Sequence, residues 1–225
     1  MKKLALFDID GVIYNGHTIF DQIQDWEKRG VVAKGTWDKI LIELSEYKSG
    51  KKNYKQAADR MLEIYAQAVK GKSPNIILED TYKFLNHNKD KFFPYFENLV
   101  SQIKDTYDIY FVTTNFQFMC EALGRIYGVK NYLSSIAGIA NGKFTGRVEL
   151  SLGGNKGIAA DLISKYGKKG SIAVGDSEND ADMLNKVDFP VVIEPNSYLK
   201  DIAREKGWQI VNRDTIADII RAYAR

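Results

Sequence analysis

The sequence is poor in several features, and each scarcity excludes a class of protein. It has one cysteine, Cys120, so it cannot build an intrachain disulfide framework. Lys and Arg total 32 against 29 Asp and Glu, and this small excess does not require a nucleic-acid partner. No apolar run approaches a membrane-spanning length. The apolar run near Met1 is interrupted by Asp8 and Asp10 and is too short for a secretory signal peptide. We therefore expect a cytoplasmic protein without a membrane partner.

The 225 residues do contain enough apolar material for a large core, since 44% of them are hydrophobic. Short runs rich in β-branched or aromatic residues alternate with segments of helical periodicity. The runs predict strands near Leu4–Phe7, Ile109–Thr113, Ile172–Val174, Val191–Ile193 and Gln209–Val211. The periodic segments predict helices near Phe96–Lys104, Phe118–Tyr127, Gly157–Lys165, Ala181–Asn185 and Thr215–Tyr223. This alternation is typical of an α/β fold with a Rossmann-like parallel sheet flanked by helices.

The segment from about Thr18 to Asn88 interrupts the alternation, because it contains little strand signal. Its apolar residues follow helical spacing, first at Trp37, Ile40, Leu41 and Leu44 and then at Ala58, Met61, Leu62 and Tyr65. The stretch GKSPN, which starts at Gly71, separates two helices. We predict a helical insert after the first strand, above the carboxyl edge of the sheet, where a lid would cover a ligand. Further along, Asn141-Gly142 predicts a tight β-hairpin.

A pair of aspartates follows each of two predicted strands. Asp8 and Asp10 follow the first strand in DIDG, and Asp176 and Asp180 follow another in GDSEND. Acids in such places also occur in exposed turns, and an Asp or Ser can cap the next helix. Carboxylates held close together repel each other, and one of them takes up a proton unless a cation lies between them. Mg²⁺ accepts such oxygen ligands.

Two further stretches carry groups that suit a phosphate. Thr113, Thr114 and Asn115 end a predicted strand, where their donors either hold phosphate oxygens or cap the next helix. Lys156 follows two glycines at a predicted helix start, where the helix dipole disfavours a cation. It either lies on the surface or offsets a cluster of carboxylates. Neighbouring parallel strands would bring all these groups to one edge, where the acids need a metal and a nearby cation.

This combination of motifs resembles the haloacid dehalogenase superfamily. The resemblance rests on DIDGV at Asp8–Val12, Thr113 in VTTN, Lys156, and GDSEND at Gly175–Asp180, in an order that fits nearly the whole chain. The helical insert is similar to the cap of the phosphoserine-phosphatase-like branch. The resemblance implies a core made of residues 1–15 and 91–225 and a cap, or lid, made of residues 16–90.

The resemblance also implies a role for each matching residue. Asp8 would be the nucleophile that forms an aspartyl-phosphate, and Asp10 would act first as the acid and then as the base. Mg²⁺ would be held by the Asp8 carboxylate, the Asp10 backbone carbonyl and Asp176. The phosphate would be bound by Thr113, Thr114, Lys156 and Asn179. Supporting residues would be Gly11, Asn115, Gly175 and Asp180.

The activity we expect is hydrolysis of a small phosphorylated metabolite, because an acid at Asp10 favours an alcohol leaving group over a halide. Phosphoserine phosphatases carry DFDST and then a glutamate, whereas this sequence continues DIDGVIYNGH with His17 in that region. His17 either contacts substrate or lies in an exposed loop. Arg60 either binds a substrate carboxylate or second phosphate, or pairs with neighbouring acids on its helix. Five aromatic residues of the insert either stack on substrate or pack the lid core: Trp26, Trp37, Tyr47, Tyr54 and Tyr65.

Two other functions fit the same sequence. Phosphoryl transfer to an acceptor other than water, as in a mutase, would use the same aspartyl-phosphate. A non-catalytic phosphate- or nucleic-acid-binding module is motivated by KSGKKNYK at Lys48–Lys55 and by Lys168-Lys169, which otherwise form solvated surface. We expect no nucleic-acid partner, because opposing acids keep the net charge low. The sequence carries no signal of an oligomeric state.

Overall fold

The computed structural model describes residues 2–154 and 156–224. Within them lies a seven-stranded sheet in the order β4-β3-β2-β1-β5-β6-β7. The strands are β1 Lys3–Phe7, β2 Tyr107–Phe116, β3 Asn131–Ala140, β4 Lys143–Leu150, β5 Ile172–Gly175, β6 Phe189–Ile193 and β7 Gln209–Val211. All neighbouring pairs are parallel except β3 and β4, which form an antiparallel hairpin. Because β1 lies between β2 and β5, the carboxyl ends of these three strands meet at one edge.

Helices surround the sheet. In the described chain they are α1 Thr18–Lys28, α2 Thr36–Lys48, α3 Tyr54–Ala68, α4 Pro74–His87, α5 Tyr95–Ile103, α6 Gln117–Tyr127, α7 Ala159–Tyr166, α8 Ala181–Leu184, α9 Ser197–Lys206 and α10 Ile216–Ala224. Short 3₁₀ turns occupy Lys89–Lys91, Lys156–Ile158 and Glu178–Asp180. The predicted α/β fold class is confirmed. Among the described helices, not one combines the length and the apolar character that crossing a membrane requires.

The central strand explains why the sheet is buried on both faces. All four residues from Leu4 to Phe7 are fully buried. Ala5 and Phe7 belong to one apolar cluster and Leu4 and Leu6 to another, because successive side chains of a strand point to opposite faces. A parallel strand covered by helices on both faces therefore shows a continuous apolar run, as the sequence does here.

The predicted strands and helices lie close to their expected positions, but β2 is longer than predicted, and neither α9 nor the part of β3 that pairs with β2 was predicted. β2 continues past Thr113 to Phe116, and its register with β3 shifts between these two residues. The stretch of hydroxyls and amide is therefore part of an irregular strand end. Helix α9 has no counterpart among the predictions, because its buried residues are only Leu199 and Ala203 and its apolar signal is weak.

Helices α1 to α4 form the helical segment predicted between the first two strands. Its apolar cluster joins Trp26 of α1 and Tyr65 of α3 to Phe118 of α6 and Phe144 of β4. The backbone N–H of Gly71 donates to the Phe144 carbonyl at 2.8 Å. The insert and the β3–β4 hairpin thus share one apolar cluster. The division of the chain into a core and a cap stays a prediction.

The turn of the β3–β4 hairpin follows the predicted chemistry. Asn141 has φ 50° and Gly142 has φ 72°, so both residues are left-handed. Two-residue hairpins require this conformation, which Asn and Gly tolerate best. The predicted tight hairpin is confirmed, and it provides the surface on which α3 packs.

Candidate active site

The first pair of acids lies directly beyond the centre of the sheet. Asp8 follows β1, and its backbone N–H donates to the carbonyl of Val174 on β5 at 3.0 Å. Only 5% of Asp8 is exposed. Asp10 is partly buried, and its Oδ1 accepts the backbone N–H of Thr18 at 2.9 Å. Both carboxylates line the same cavity at the carboxyl edge of the sheet.

Gly11 lets the loop after β1 approach the loop after β5. Its φ is +77°, a left-handed value that glycine adopts without strain. A Cβ at this position would lie 2.0 Å from Oδ2 of Asp176. The absence of a side chain at Gly11 therefore determines how close Asp176 comes to the acids after β1.

The second pair of acids follows β5, and its two members have different partners. Asp180 is fully buried. Its Oδ2 accepts the backbone N–H groups of Asp176 and Ser177, each at 3.1 Å. A Cβ at Gly175 would lie 2.4 Å from Cβ of Asp180, so the glycine makes room for this carboxylate. Asp180 therefore shapes the loop, while Asp176 lines the cavity.

Lys156 is buried inside the cluster of acids, with 2% of the residue exposed. Its Nζ lies 2.7 Å from Oδ1 of Asp8 and 2.6 Å from Oδ1 of Asp180. Burial lowers the pKa of the ammonium, but the attraction of Asp180 and Asp8 outweighs it and holds the pKa above the usual lysine value. The sequence left two positions open for Lys156, on the surface or among carboxylates. The surface position is wrong.

Three carboxylates come together around this lysine. Oxygens of Asp8, Asp176 and Asp180 all lie within 4.8 Å of one another. Burial and the charge of Asp180 raise the pKa of Asp176 to about 7. Burial and repulsion from Asp180 also raise the pKa of Asp8 well above its ordinary value, although Lys156 opposes them. One ammonium does not neutralise three acids, so the cluster suits a hard divalent cation.

Asp10 is not a member of that group of three carboxylates. Burial raises its pKa, and the hydrogen bonds from Thr18 act in the opposite direction. A hydrogen-bonded carboxyl that lines the cavity and holds its proton more firmly than usual suits proton transfer.

Two buried oxygens at the cavity have no protein partner in the described structure. They are Oγ1 of Thr114 and Oδ1 of Asn179, and both residues line the cavity. Thr113 is 2% exposed and also lines the cavity, and its hydroxyl accepts the N–H of Asn115 at 3.1 Å. Buried polar atoms without partners are costly, so their positions suit a polar ligand such as a phosphate.

Asn115 and Thr18 form a buried link behind the acids. The Asn115 side-chain amide donates to the Thr18 hydroxyl at 3.0 Å, and the Thr18 N–H donates to Asp10. Sequence reasoning missed Thr18, which is fully buried at the start of α1. A hydroxyl residue opening the first helix after DIDG was the available signal. Asn115 is absent from the cavity lining and reaches the site through Thr18.

The cavity extends from the acids to the helical insert and has a volume of about 350 Å³. His17 lines it and is exposed. Arg60 does not line it. The Arg60 guanidinium lies 2.6 Å from a carboxylate oxygen of Glu63 and 3.7 Å from one of Glu43. Of its two predicted positions, Arg60 occupies the one in surface ion pairs.

The aromatic residues of the insert divide between the cavity and the apolar cluster that the insert shares with the hairpin. Tyr47 and Tyr54 line the cavity, and burial raises the pKa of Tyr54 to about 12. Trp26 and Tyr65 are fully buried in the cluster shared with the hairpin, and Trp37 packs against that cluster. Both predicted positions therefore occur, and sequence spacing does not separate them.

Comparison with known proteins identifies the family of this chain. The family model of the haloacid dehalogenase-like hydrolases matches residues 2–188. A phosphoserine phosphatase of Mycobacterium tuberculosis is 33% identical over 107 residues, which are 45% of this chain and 35% of that protein. The match thus spans about a third of the length of this curated relative.

Solved structures share the fold over nearly the whole chain. A protein of unknown function from Bordetella pertussis Tohama I has a TM-score of 0.79 at 21% identity, covering 95% of this chain and 99% of that one. A phosphoserine phosphatase with an analogue of its phospho-aspartyl intermediate has a TM-score of 0.65 at 22% identity, covering 94% of this chain and 93% of that one. At these identities the likeness establishes the fold.

Proposed function

Because the chain belongs to the haloacid dehalogenase-like hydrolase family, we propose that it is a Mg²⁺-dependent phosphatase of small phosphomonoesters. The observation that carries the proposal is the buried ion cluster, in which Lys156 contacts Asp8 and Asp180 and lies beside Asp176. Burying so many charged groups costs free energy of desolvation, which a bound charged ligand can offset. The phosphoserine phosphatases among the similar proteins support a phosphate ester as the substrate.

The metal ligands in this proposal are the Asp8 carboxylate, the Asp10 backbone carbonyl and Asp176. When bound, Mg²⁺ would screen the charge between a carboxylate and the phosphate and stabilise charge that develops on the phosphoryl oxygens. The clustering of Asp8 and Asp176 supports this assignment. Asp180 is left out of the ligand set, because its two oxygens already serve Lys156 and the backbone of the loop.

The phosphate would be held by four residues of the cavity: Thr113, Thr114, Lys156 and Asn179. The Lys156 ammonium supplies a positive charge next to the Asp8 carboxylate. The Thr114 hydroxyl can donate a hydrogen bond, and the side-chain amide of Asn179 can do the same. The unpartnered oxygens of these two side chains support a ligand at this place.

Asp8 and Asp10 would divide the chemistry between them. A carboxylate oxygen of Asp8 attacks phosphorus, the ester P–O bond breaks, and the departing alcohol takes a proton from Asp10. Asp10 then removes a proton from a water molecule, whose oxygen attacks the aspartyl-phosphate. The bond between Asp8 and phosphorus breaks, and inorganic phosphate leaves. The raised pKa of Asp10 supports its role as the proton donor in the first step.

The test replaces the proposed nucleophile, the Asp8 carboxylate, with an amide of nearly the same size. We expect Asp8→Asn to abolish Mg²⁺-dependent phosphate release and the covalent phosphoenzyme that acid quenching traps from the natural chain. Thermal melting should show that the variant is folded, because an amide relieves repulsion among the clustered acids.

The matched control is Asp182→Asn, which makes the same change at an exposed acid of α8. It should keep phosphate release within about twofold of the natural chain. Turnover at the natural rate in Asp8→Asn would exclude Asp8 as the nucleophile and overturn the proposal.

A further inference from the structure

The cavity has two chemically different ends. The end at the sheet carries the acids, Lys156 and the polar atoms assigned above to phosphate. Helices of the insert supply the opposite wall, where six apolar residues lie beside Tyr47, Lys48 and Tyr54: Ile19 and Phe20 from α1, Leu44 from α2, and Ala57, Ala58 and Met61 from α3. An ester whose phosphate lies against Lys156 would place its alcohol part against this wall.

The cavity has few cationic side chains that could bind a carboxylate on the alcohol part of a substrate. Among the described residues that line the cavity, the basic side chains are Lys156, Lys48 and His17. Lys156 is already paired with two acids. Lys48 and His17 are exposed, and exposed ion pairs are weak because water and salt screen them. Arginine contributes nothing to this described lining, since Arg60 pairs with acids outside it.

A carboxylate would also meet negative charge. Glu178 lines the cavity, and its Oε2 accepts a hydrogen bond from the side-chain amide of Asn196. Glu178 also raises the pKa of the cavity-lining Tyr47, after the larger effect of burial. A ligand carboxylate near these residues would be repelled, and Lys156, the buried cation of the described lining, is already paired with Asp8 and Asp180.

From this wall we infer that the preferred substrate is a phosphomonoester of an apolar or aromatic alcohol without a carboxylate. The inference rests on the proposed phosphatase function and concerns the same cavity. It implies that O-phosphoserine, whose alcohol part carries a carboxylate and an ammonium, is a poor substrate. Apolar contacts with Phe20, Leu44 and Met61 would supply the binding free energy of the preferred alcohol.

The test compares two esters of unactivated primary alcohols, phenethyl phosphate and O-phosphoserine, with the full chain in excess Mg²⁺. A third ester, p-nitrophenyl phosphate, reports whether the phosphatase chemistry works at all. We expect kcat/KM for phenethyl phosphate to exceed that for O-phosphoserine by at least about 10-fold, the scale of discrimination that an apolar pocket provides.

The remaining outcomes separate the two proposals. Equal values or a preference for O-phosphoserine would overturn the inference and leave the phosphatase function standing. Release of phosphate from p-nitrophenyl phosphate, but from neither of the other two esters, would also overturn the inference and leave the phosphatase function standing. Absence of release from all three esters would overturn the phosphatase function and, with it, the inference about the alcohol.

A pair of leucines on α2 supplies a matched control for the wall. Leu44 lines the cavity, whereas Leu41 is exposed and outside it. We expect Leu44→Ala to lower kcat/KM for phenethyl phosphate by roughly 10-fold and that for O-phosphoserine by less than about twofold. Leu41→Ala should change neither by more than about twofold. Thermal melting checks that both variants are folded, and equal losses for both esters in Leu44→Ala would contradict the inference.

Discussion

At the scale of single residues, the candidate site depends on charged groups packed against positions without side chains. Oδ2 of Asp176 lies 2.0 Å from the position that a Cβ of Gly11 would take, and Asp180 lies against Gly175. The two carboxylates approach the acids after β1 only because these two glycines leave space. A glycine in such a place is as necessary to the site as the acids themselves.

We therefore predict that Gly11→Ala displaces Asp176 and lowers phosphatase activity by roughly 100-fold, because small misplacements of reacting groups are costly. The matched control is Gly71→Ala. Gly71 has the same φ of +77° as Gly11, but a Cβ added to Gly71 would meet nothing within 4 Å, so this variant shares the backbone strain without the collision. Steady-state kinetics on both variants measures the difference. Similar losses of activity in both would mean that backbone strain, and not the contact with Asp176, is responsible.

At the scale of elements, helix α3 of the insert contacts the segment that precedes Lys156. The Ser151 hydroxyl donates to Oδ1 of Asp59 in α3, and the same hydroxyl accepts the backbone N–H of Gly153 at 3.1 Å. On its other side, α3 packs on β4 and contributes Leu62 and Tyr65 to the shared apolar cluster. The position of the apolar cavity wall thus depends on contacts that the helix makes with the core strands.

We predict that Ser151→Ala weakens the attachment of α3 by about 1 kcal/mol, the usual net value of one hydrogen bond. Local opening should then become roughly fivefold more frequent, and native-state hydrogen exchange of amides in α3 should accelerate by that factor. Exchange in α10 should not change, because α10 lies elsewhere on the sheet. Ser164→Ala removes an exposed hydroxyl that bonds within α7 and serves as the control. Unchanged exchange in α3 would show that this contact does not hold the helix.

At the scale of the whole molecule, the clustered acids link stability to pH and to metal. In the folded chain the pKa of Asp176 rises from 3.8 to about 7, and that of Asp8 rises as well. These groups bind protons more tightly when folded than when unfolded. The stability that this contributes is complete at low pH and is lost as pH rises from 3.8 to about 7. A divalent cation would replace the lost protons.

We predict that the metal-free protein loses thermal stability between pH 4 and pH 7 and that Mg²⁺ restores it. At about 100 times its dissociation constant, a ligand stabilises the folded state by about 2.7 kcal/mol. For a chain of this length, that corresponds to a rise in melting temperature of roughly 5–10 °C at pH 7.5. The rise should be smaller at pH 5, where protons compete for the same oxygens.

The variant Asp176→Asn separates this explanation from nonspecific effects of salt. It should melt at a higher temperature than the natural chain without metal, since one charge of the cluster is gone, and it should respond little to Mg²⁺. Scanning calorimetry at both pH values provides the measurement. The same response to Mg²⁺ in the variant and in the natural chain would place the cation elsewhere.

The sequence by itself determined the fold class and the strand ends that carry the acids. A buried parallel strand needs a continuous apolar run, and a residue such as Asp8 directly after such a run has to lie at the carboxyl edge. The turn at Asn141-Gly142 was equally predictable, because its left-handed conformation restricts the residues that fit. These are local rules, which depend on neighbours along the chain.

The tertiary structure alone decided which side chains meet. Lys156 could have lain on the surface, and only packing between distant loops puts it against Asp8 and Asp180. Arg60 and Tyr54 lie on the same helix, yet one is outside the cavity and the other lines it. Thr18 of α1 links Asp10 to β2 because the side-chain amide of Asn115 reaches the Thr18 hydroxyl. Contacts between residues far apart in the chain follow from how the elements pack, which spacing along one sequence does not specify.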